Sequence, residues 1–397
     1  MITYKCTLSC YSKKEREYPI VLYRNNGNIH MSNFYCKKCN KTYVIDKAYN
    51  RCICGGLLSI NFQPVFDLDR IKKRKPSMWR YREAIPIDHD KNIVSFDEGF
   101  TPMLKIDFDG YPIMIKQDHL FPSGSYKDRG ASVLISKIKE LGISNVVEDS
   151  SGNAGSAVAA YCAKANIKCE IYVPEKTSPG KLAQIQNYSA KLNKVPGSRE
   201  DTANAVLKAA KNVYYASHTW NPFFFHGTKT FAFEVAEQLG WTAPDTVILP
   251  VGNGTILLGA YIGFYELFSA NIIKKIPKLI GIQAENCAPL FHTFSKNQKS
   301  SPLFTLKPTI AEGIAIAKPA RGVEIIEAVK KTDGKIMTVT ESEIMESHKI
   351  MGKKGYCIEP TSAATTAGIC KYLQTISKRE TIVSIFTGHG LKAVKKD

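Results

Sequence analysis

A lysine set among small residues, in Ser123-Gly124-Ser125-Tyr126-Lys127-Asp128-Arg129-Gly130, can bring its amine close to a bound molecule. The pattern that follows it is helical, which puts Lys127 at a helix entry. A primary amine in such a place can attack a carbonyl carbon, or act as a base once burial lowers its pKa. A lysine at a helix start is also a common solvated residue, so this motif alone decides little. Three distant segments add to it. Ser150-Ser151-Gly152-Asn153-Ala154-Gly155 lies between a strand pattern and a helix pattern; its glycines let backbone approach a ligand, and helix-start N–H groups favour an anion such as a carboxylate. Pro250-Val251-Gly252-Asn253-Gly254-Thr255-Ile256 has the same setting, and its N–H groups suit a phosphate. Phe386-Thr387-Gly388-His389-Gly390-Leu391-Lys392 follows the last strand pattern and places a hydroxyl at a strand end, where ligands of open α/β sheets bind.

Six of the eleven cysteines fall in the first 75 residues, at positions 6, 10, 36, 39, 52 and 54. Cys36-Lys-Lys-Cys39 and Cys52-Ile-Cys54-Gly-Gly are two close pairs with twelve residues between them. Four thiolates so spaced suit tetrahedral zinc, although the second pair is one residue tighter than the usual knuckle. A ribbon that folds without metal is the rival reading. Cys6 and Cys10 are not expected to be ligands, and Cys162, Cys169, Cys287, Cys357 and Cys370 sit in apolar runs that read as core.

Taken together and in order, these segments resemble the threonine synthases, within the tryptophan-synthase-β-like (fold type II) enzymes that use pyridoxal phosphate (PLP). Trp79-Arg80-Tyr81-Arg82-Glu83, Glu98-Gly99-Phe100-Thr101-Pro102 and Glu359-Pro360-Thr361-Ser362-Ala363 extend the likeness over most of the chain. The resemblance implies that Lys127 carries the cofactor as a Schiff base and later moves protons. It implies that Asn153 bonds the cofactor's phenolic oxygen and that Gly252, Asn253, Gly254, Thr255 and Ile256 hold its phosphate. Thr387 then faces the pyridine nitrogen, and Ser151 and Gly152 hold the substrate carboxylate. A hydroxyl facing that nitrogen stabilises a pyridinium less than a carboxylate does, which suits elimination and replacement better than transamination. Several threonine synthases also carry a Cys-rich amino-terminal ribbon.

One stretch departs from the family pattern. In Asn221-Pro222-Phe223-Phe224-Phe225-His226-Gly227-Thr228-Lys229-Thr230, Phe224 stands where many members carry an Arg for the substrate phosphate. A phenyl ring makes no charge-assisted bond. His226 and Thr228 replace an acidic and an amide residue, while Lys229 remains as a substrate-binding candidate. His218 and His226 flank the segment, each readable as a pocket residue or as a satisfied core or surface histidine. The activity implied by the resemblance is conversion of O-phospho-L-homoserine and water to L-threonine and phosphate. Phe224 keeps open a second one, β-replacement or β-elimination on a serine-derived amino acid, as in cysteate synthases or threonine dehydratases. A non-catalytic metabolite-binding relative is a third, opposed by the intact Lys127, Asn153, glycine loop and Thr387.

The elements that must position these residues read as an α/β chain. Strand patterns at 111–116, 145–148, 169–173, 191–195, 213–216, 247–251, 279–283 and 381–386 alternate with helix patterns at 127–141, 154–166, 179–187, 230–239, 256–267 and 362–373. Short apolar strands separated by helices predict parallel sheets covered on both faces. The expected architecture is therefore a Cys-rich ribbon over 1–75 and two parallel-sheet α/β domains. The larger comprises 76–130 and 215–397, the smaller 131–214, with the cofactor between them. The net charge of +18 is scattered in short clusters without interleaved aromatics, which points to a solvated basic surface and away from nucleic acid. The start of the chain has no apolar run of signal-peptide length, and the most apolar stretch, 247–270, is broken by Pro250, Gly252, Asn253, Gly254 and Glu266. The expectation is a cytoplasmic enzyme with reduced thiols and a small amino-acid substrate, no membrane partner, and a homodimer as the candidate assembly.

Overall fold

A computed structural model describes residues 22–25, 28–177, 179–297 and 307–393. Cys6 and Cys10, expected not to be metal ligands, lie outside the described residues.

Two parallel sheets dominate. The larger has the order 335–339, 278–284, 246–250, 382–385, 111–116, 103–108. Five of its strands run parallel, and the edge strand Met103–Phe108 pairs antiparallel with Tyr111–Lys116 through a tight turn at Asp109-Gly110. That edge strand was not expected from the sequence, because its buried residues are few and its pattern mixed. The smaller sheet, 191–195, 168–174, 145–148, 214–215, is wholly parallel. Strands such as Thr246–Pro250 are buried along their whole length, as expected of strands covered by helices on both faces.

Two pairings govern the site. Strand Thr246–Pro250 lies beside Ile382–Ile385, so the loops after their carboxyl ends, 251–255 and 386–392, are neighbours. Strand Asn145–Glu148 lies beside Tyr214–Tyr215, so the loops 149–152 and 216–221 are neighbours as well. All four loops leave carboxyl ends of parallel strands, where α/β proteins bind ligands.

Helix Pro222–Thr228 has no counterpart among the helix patterns of the sequence. Its start is well specified: Asn221 accepts from the Phe223 N–H, and Pro222 occupies the first turn. Its seven residues are all buried between helix Lys127–Glu140, helix Thr255–Ser269 and the ribbon. The ribbon itself is a three-stranded antiparallel sheet in the order 42–44, 33–36, 58–61. Phe34 meets Phe223 edge-on at 5.8 Å, and Phe62 meets His226 at 6.0 Å, so the ribbon covers the 222–228 helix.

Candidate active site

Lys127 opens helix Lys127–Glu140, and its amine lies 2.8 Å from the Tyr126 hydroxyl and 2.9 Å from Thr255 Oγ1. Tyr126 and Thr255 are themselves 2.7 Å apart, closing a three-membered polar cluster. Thr255 is the first residue of helix Thr255–Ser269, whose N-cap is Gly254 in the left-handed region at φ +74°. A side chain at Gly254 would also meet Ile325, and one at Gly252 would meet the backbone of Ile314. Two separate constraints therefore demand glycine in this loop.

The lysine segment is tied to the last loop through the backbone. The Tyr126 N–H donates to the Thr387 carbonyl at 3.0 Å, and Ser125 bridges Gly388. Thr387 Oγ1 donates to Glu359 Oε1 at 2.9 Å, and Asn153 Nδ2 donates to Glu359 Oε2 at 2.8 Å. One carboxylate thus joins two residues that the sequence placed on a common ligand. Gly388 makes room for it, since a Cβ there would lie 2.3 Å from Glu359 Oε2. Asn153 starts helix Asn153–Lys164 with Gly152 as N-cap, while Gly155 permits the tight entry because a Cβ there would strike the Ser150 carbonyl. No side chain caps this helix or the Thr255–Ser269 helix, so the first N–H groups of both are open to an anion.

The helix that begins at Lys127 is locked from behind. Arg129 is fully buried, donates twice to Asp118 at 2.7 and 2.9 Å, and pairs with Glu234. Glu234 also accepts from Lys116 at 2.8 Å. Burial alone pushes the Glu234 carboxyl up, but Arg129 and Lys116 hold it down at about 2. Asp128 accepts from the Ser123 N–H at 2.8 Å, which folds the segment ahead of the lysine back onto its helix.

The structure brings together Lys127, Asn153, Thr255 and Thr387, with Ser151 and Gly152 ahead of Asn153 and Gly252, Asn253, Gly254 and Ile256 around Thr255. It does not bring Lys229 to them. The Lys229 amine is fully buried, 2.8 Å from Glu266 Oε1 and over the Phe62 ring. Its backbone caps the end of helix Pro222–Thr228, and its charge is paired with Glu266. Phe224 is also fully buried, its ring against Gly130. Two residues not read as site residues join the cluster: Tyr126, adjacent to the lysine, and Glu359, whose only sequence signal was the Glu-Pro pair ahead of helix Pro360–Leu373.

A second cluster lies in the ribbon. The sulfurs of Cys36, Cys39, Cys52 and Cys54 all lie within 4.8 Å of one another. A Cβ on Gly56 would lie 2.6 Å from the Cys36 sulfur, so glycine is required for the cluster to close. Four convergent thiols of this kind can hold a metal ion.

An amine at a helix entry, an uncapped glycine-rich helix start beside it, and a hydroxyl and an amide joined through one carboxylate form a donor set that fits PLP. Residues 94–388 match the pyridoxal-phosphate dependent enzyme family. The chain belongs to that family and, within it, to the threonine synthases: it is 38% identical to the threonine synthase of Methanocaldococcus jannaschii over 90% of this chain and 92% of that one. It is 33% identical to the Methanosarcina acetivorans threonine synthase over 91% of this chain and 92% of that one. Among solved structures, threonine deaminase isoform 2 from Solanum lycopersicum shares the fold with a TM-score of 0.65 at 19% identity, covering 82% of this chain and 86% of that one. Maize serine racemase does so with a TM-score of 0.63 at 19% identity, covering 73% and 88%. Among the described residues, no helix is long and apolar enough to cross a membrane.

Proposed function

We propose that this chain is a PLP-dependent enzyme converting O-phospho-L-homoserine and water to L-threonine and phosphate. The observation that carries the reading is the Lys127 amine 2.9 Å from Thr255 Oγ1, at the mouth of an uncapped helix preceded by Gly252 and Gly254. The threonine synthase names of the relatives supply the substrate. When bound, PLP supplies the electron sink for charge developed beside the substrate's amino group. In this reading Lys127 Nζ holds the cofactor and moves protons at the substrate carbons above it. Gly252, Asn253, Gly254, Thr255 and Ile256 hold the cofactor phosphate with backbone N–H groups and the Thr255 hydroxyl. Asn153 faces the phenolic oxygen and Thr387 the ring nitrogen, while Ser151 and Gly152 present helix-start N–H groups to the substrate carboxylate. The Cys36, Cys39, Cys52 and Cys54 cluster holds one structural zinc. The ribbon over 1–75 and the domains 76–130 with 215–397 and 131–214 are the units of a cytoplasmic enzyme, with a homodimer as the candidate assembly.

The purified protein should be yellow, and borohydride should fix the cofactor on Lys127, identified by peptide mass. Label on another lysine would defeat the assignment. Phosphohomoserine, phosphoserine with sulfite or sulfide, threonine and serine should then be compared for release of phosphate and keto acid. A second reading, elimination or replacement on a serine-derived substrate, is favoured by Phe224 lying on Gly130 and offering no charge. It predicts that phosphohomoserine is inert in that panel while a serine-derived substrate turns over.

A further inference from the structure

The smaller sheet carries a polar cluster that the roles above leave unused. Glu148, fully buried at the end of strand Asn145–Glu148, has Oε1 2.6 Å from His218 Nδ1. Its other oxygen accepts the Ser150 N–H, so one carboxylate fixes both the 149–152 loop and the imidazole beside it. His218 is 6% exposed, and its Nε2, directed away from Glu148, has no bonding partner among the described residues. The loop holding it is pinned by hydrogen bonds. Arg321 donates to the Thr219 and Trp220 carbonyls at 3.1 and 2.8 Å, and Asn221 donates to Tyr214 Oη at 2.7 Å. On its other side the His218 ring lies 5.9 Å from the Phe224 ring, which in turn rests on Gly130 of the lysine helix. His218 therefore stands between the loop expected to hold the substrate carboxylate and the helix that carries Lys127.

The neighbours of His218 in this segment are poor ligands for an anion. Phe224 has no donor, and Lys229 is paired with Glu266. His226 is buried against Phe62, where burial and the Lys229 charge push it far below the ordinary imidazole range. Asp149, next to Glu148, accepts from the Tyr215 hydroxyl at 2.8 Å; burial and the Glu148 charge push its carboxyl up, which blunts its repulsion of an anion.

We propose that His218, oriented by Glu148, is the specificity-determining residue that binds the distal anionic group of the substrate through Nε2, on the wall where Phe224 offers no charge. The inference rests on the threonine synthase reading and names the group that recognises its phosphate. With Nδ1–H donated to Glu148, the neutral ring would leave Nε2 an acceptor, so Nε2 donates to an anion in the doubly protonated imidazolium, whose two N–H groups then bridge the carboxylate and the ligand. In that form Nε2–H makes a charge-assisted bond to a phosphate oxygen.

The test is a split between substrates that carry the distal group and those that lack it. In His218→Ala, the KM for phosphohomoserine and the inhibition constant for inorganic phosphate should rise roughly ten- to a hundredfold, as expected for a lost bond to a charged group. Deamination of L-threonine, which has no distal phosphate, should change less than about threefold on the same scale. His218→Asn, which keeps an N–H donor, should recover part of the loss, and cofactor absorption should be unchanged in both. Equal effects on both substrates, or no effect on phosphohomoserine, would overturn the inference while leaving the reading intact. A wild type inert toward phosphohomoserine overturns the reading and the inference with it. If the variants fail to fold, inorganic phosphate should protect His218 of the wild-type holoenzyme from diethyl pyrocarbonate, mapped by mass spectrometry; absence of protection is the negative result.

Discussion

The Thr387 hydroxyl has its proton directed at Glu359 Oε1 and its backbone N–H at Ser362 Oγ, 2.8 Å away. Ser362 Oγ also lies 2.9 Å from Oγ1, so the hydroxyl is held between Glu359 and Ser362, a fact the bare motif Phe386-Thr387-Gly388 does not disclose. Removing the hydroxyl costs any cofactor group that bonds it about 1 kcal/mol, or 1.5–3 kcal/mol if that group is charged. Thr387→Val is therefore expected to weaken PLP binding by roughly tenfold, and Thr387→Ser to keep it near wild type, in absorbance titrations of the cofactor-free protein. Unchanged affinity in the Val variant would mean that Thr387 does not face the cofactor. Lys127, Asn153, Thr255 and Thr387 were legible because each occupies a Gly- or Ser-rich turn between a strand and a helix, which limits what the local chain can be for. Tyr126 shares the turn of Lys127 but was passed over for it, and Glu359, at the head of a helix, joins the cluster only through Asn153 and Thr387, distant in sequence or on another element. The pairing of Lys229 with Glu266 is likewise a tertiary contact that the local sequence does not disclose.

At the scale of the element, the position of the Lys127 helix is set by buried charges. Arg129, Asp118, Glu234 and Lys116 are all inaccessible to water and balance as two cations and two anions. Such a network is weak evidence for net stability, because desolvation offsets much of the attraction, but removing one member leaves an unpaired buried charge that costs about 3–5 kcal/mol. Glu234→Gln should lower stability by about that amount in denaturant unfolding at pH 7. The pH dependence has a definite sign. The Glu234 carboxyl is held down at about 2 from its ordinary 4.5, so its contribution is complete above 4.5 and is lost as pH falls from there through about 2. Wild-type stability should fall across that window more steeply than that of Glu234→Gln. Equal slopes would show that another carboxylate governs the acid limb. The alternation of strands and helices in this region was legible from apolar periodicity. Helix Pro222–Thr228 was not, because a run of buried aromatics has no amphipathic period when the helix is covered on every side.

Considered as a whole, the molecule has its amino-terminal ribbon seated on the helix that backs the lysine. Phe34 packs on Phe223, and Phe62 covers both His226 and the Lys229 amine. The chain thus runs from the four cysteines, through strands Asn33–Cys36 and Leu58–Asn61, to helix Pro222–Thr228 and then to Gly130 against Phe224. None of the residues assigned to the site lies in the ribbon, which by itself suggests two independent units. Its packing says otherwise. A small sheet of three short strands buries little apolar surface of its own, and the structural metal proposed for the four cysteines would supply what is missing. Removing it should release Phe34 and Phe62 from the 222–228 helix and admit water to the Lys229–Glu266 pair, whose carboxyl burial now pushes up to about 7. Zinc should be present at about one per chain, and Cys36→Ser or a strong chelator should release it. In hydrogen exchange followed by mass spectrometry, faster exchange should appear in two places at once: in the ribbon, over 33–61, and in 222–229. Exchange that quickens only in the ribbon would show that the helix keeps its place without its cover, and the proposed route from the cysteines to the lysine helix would then be wrong.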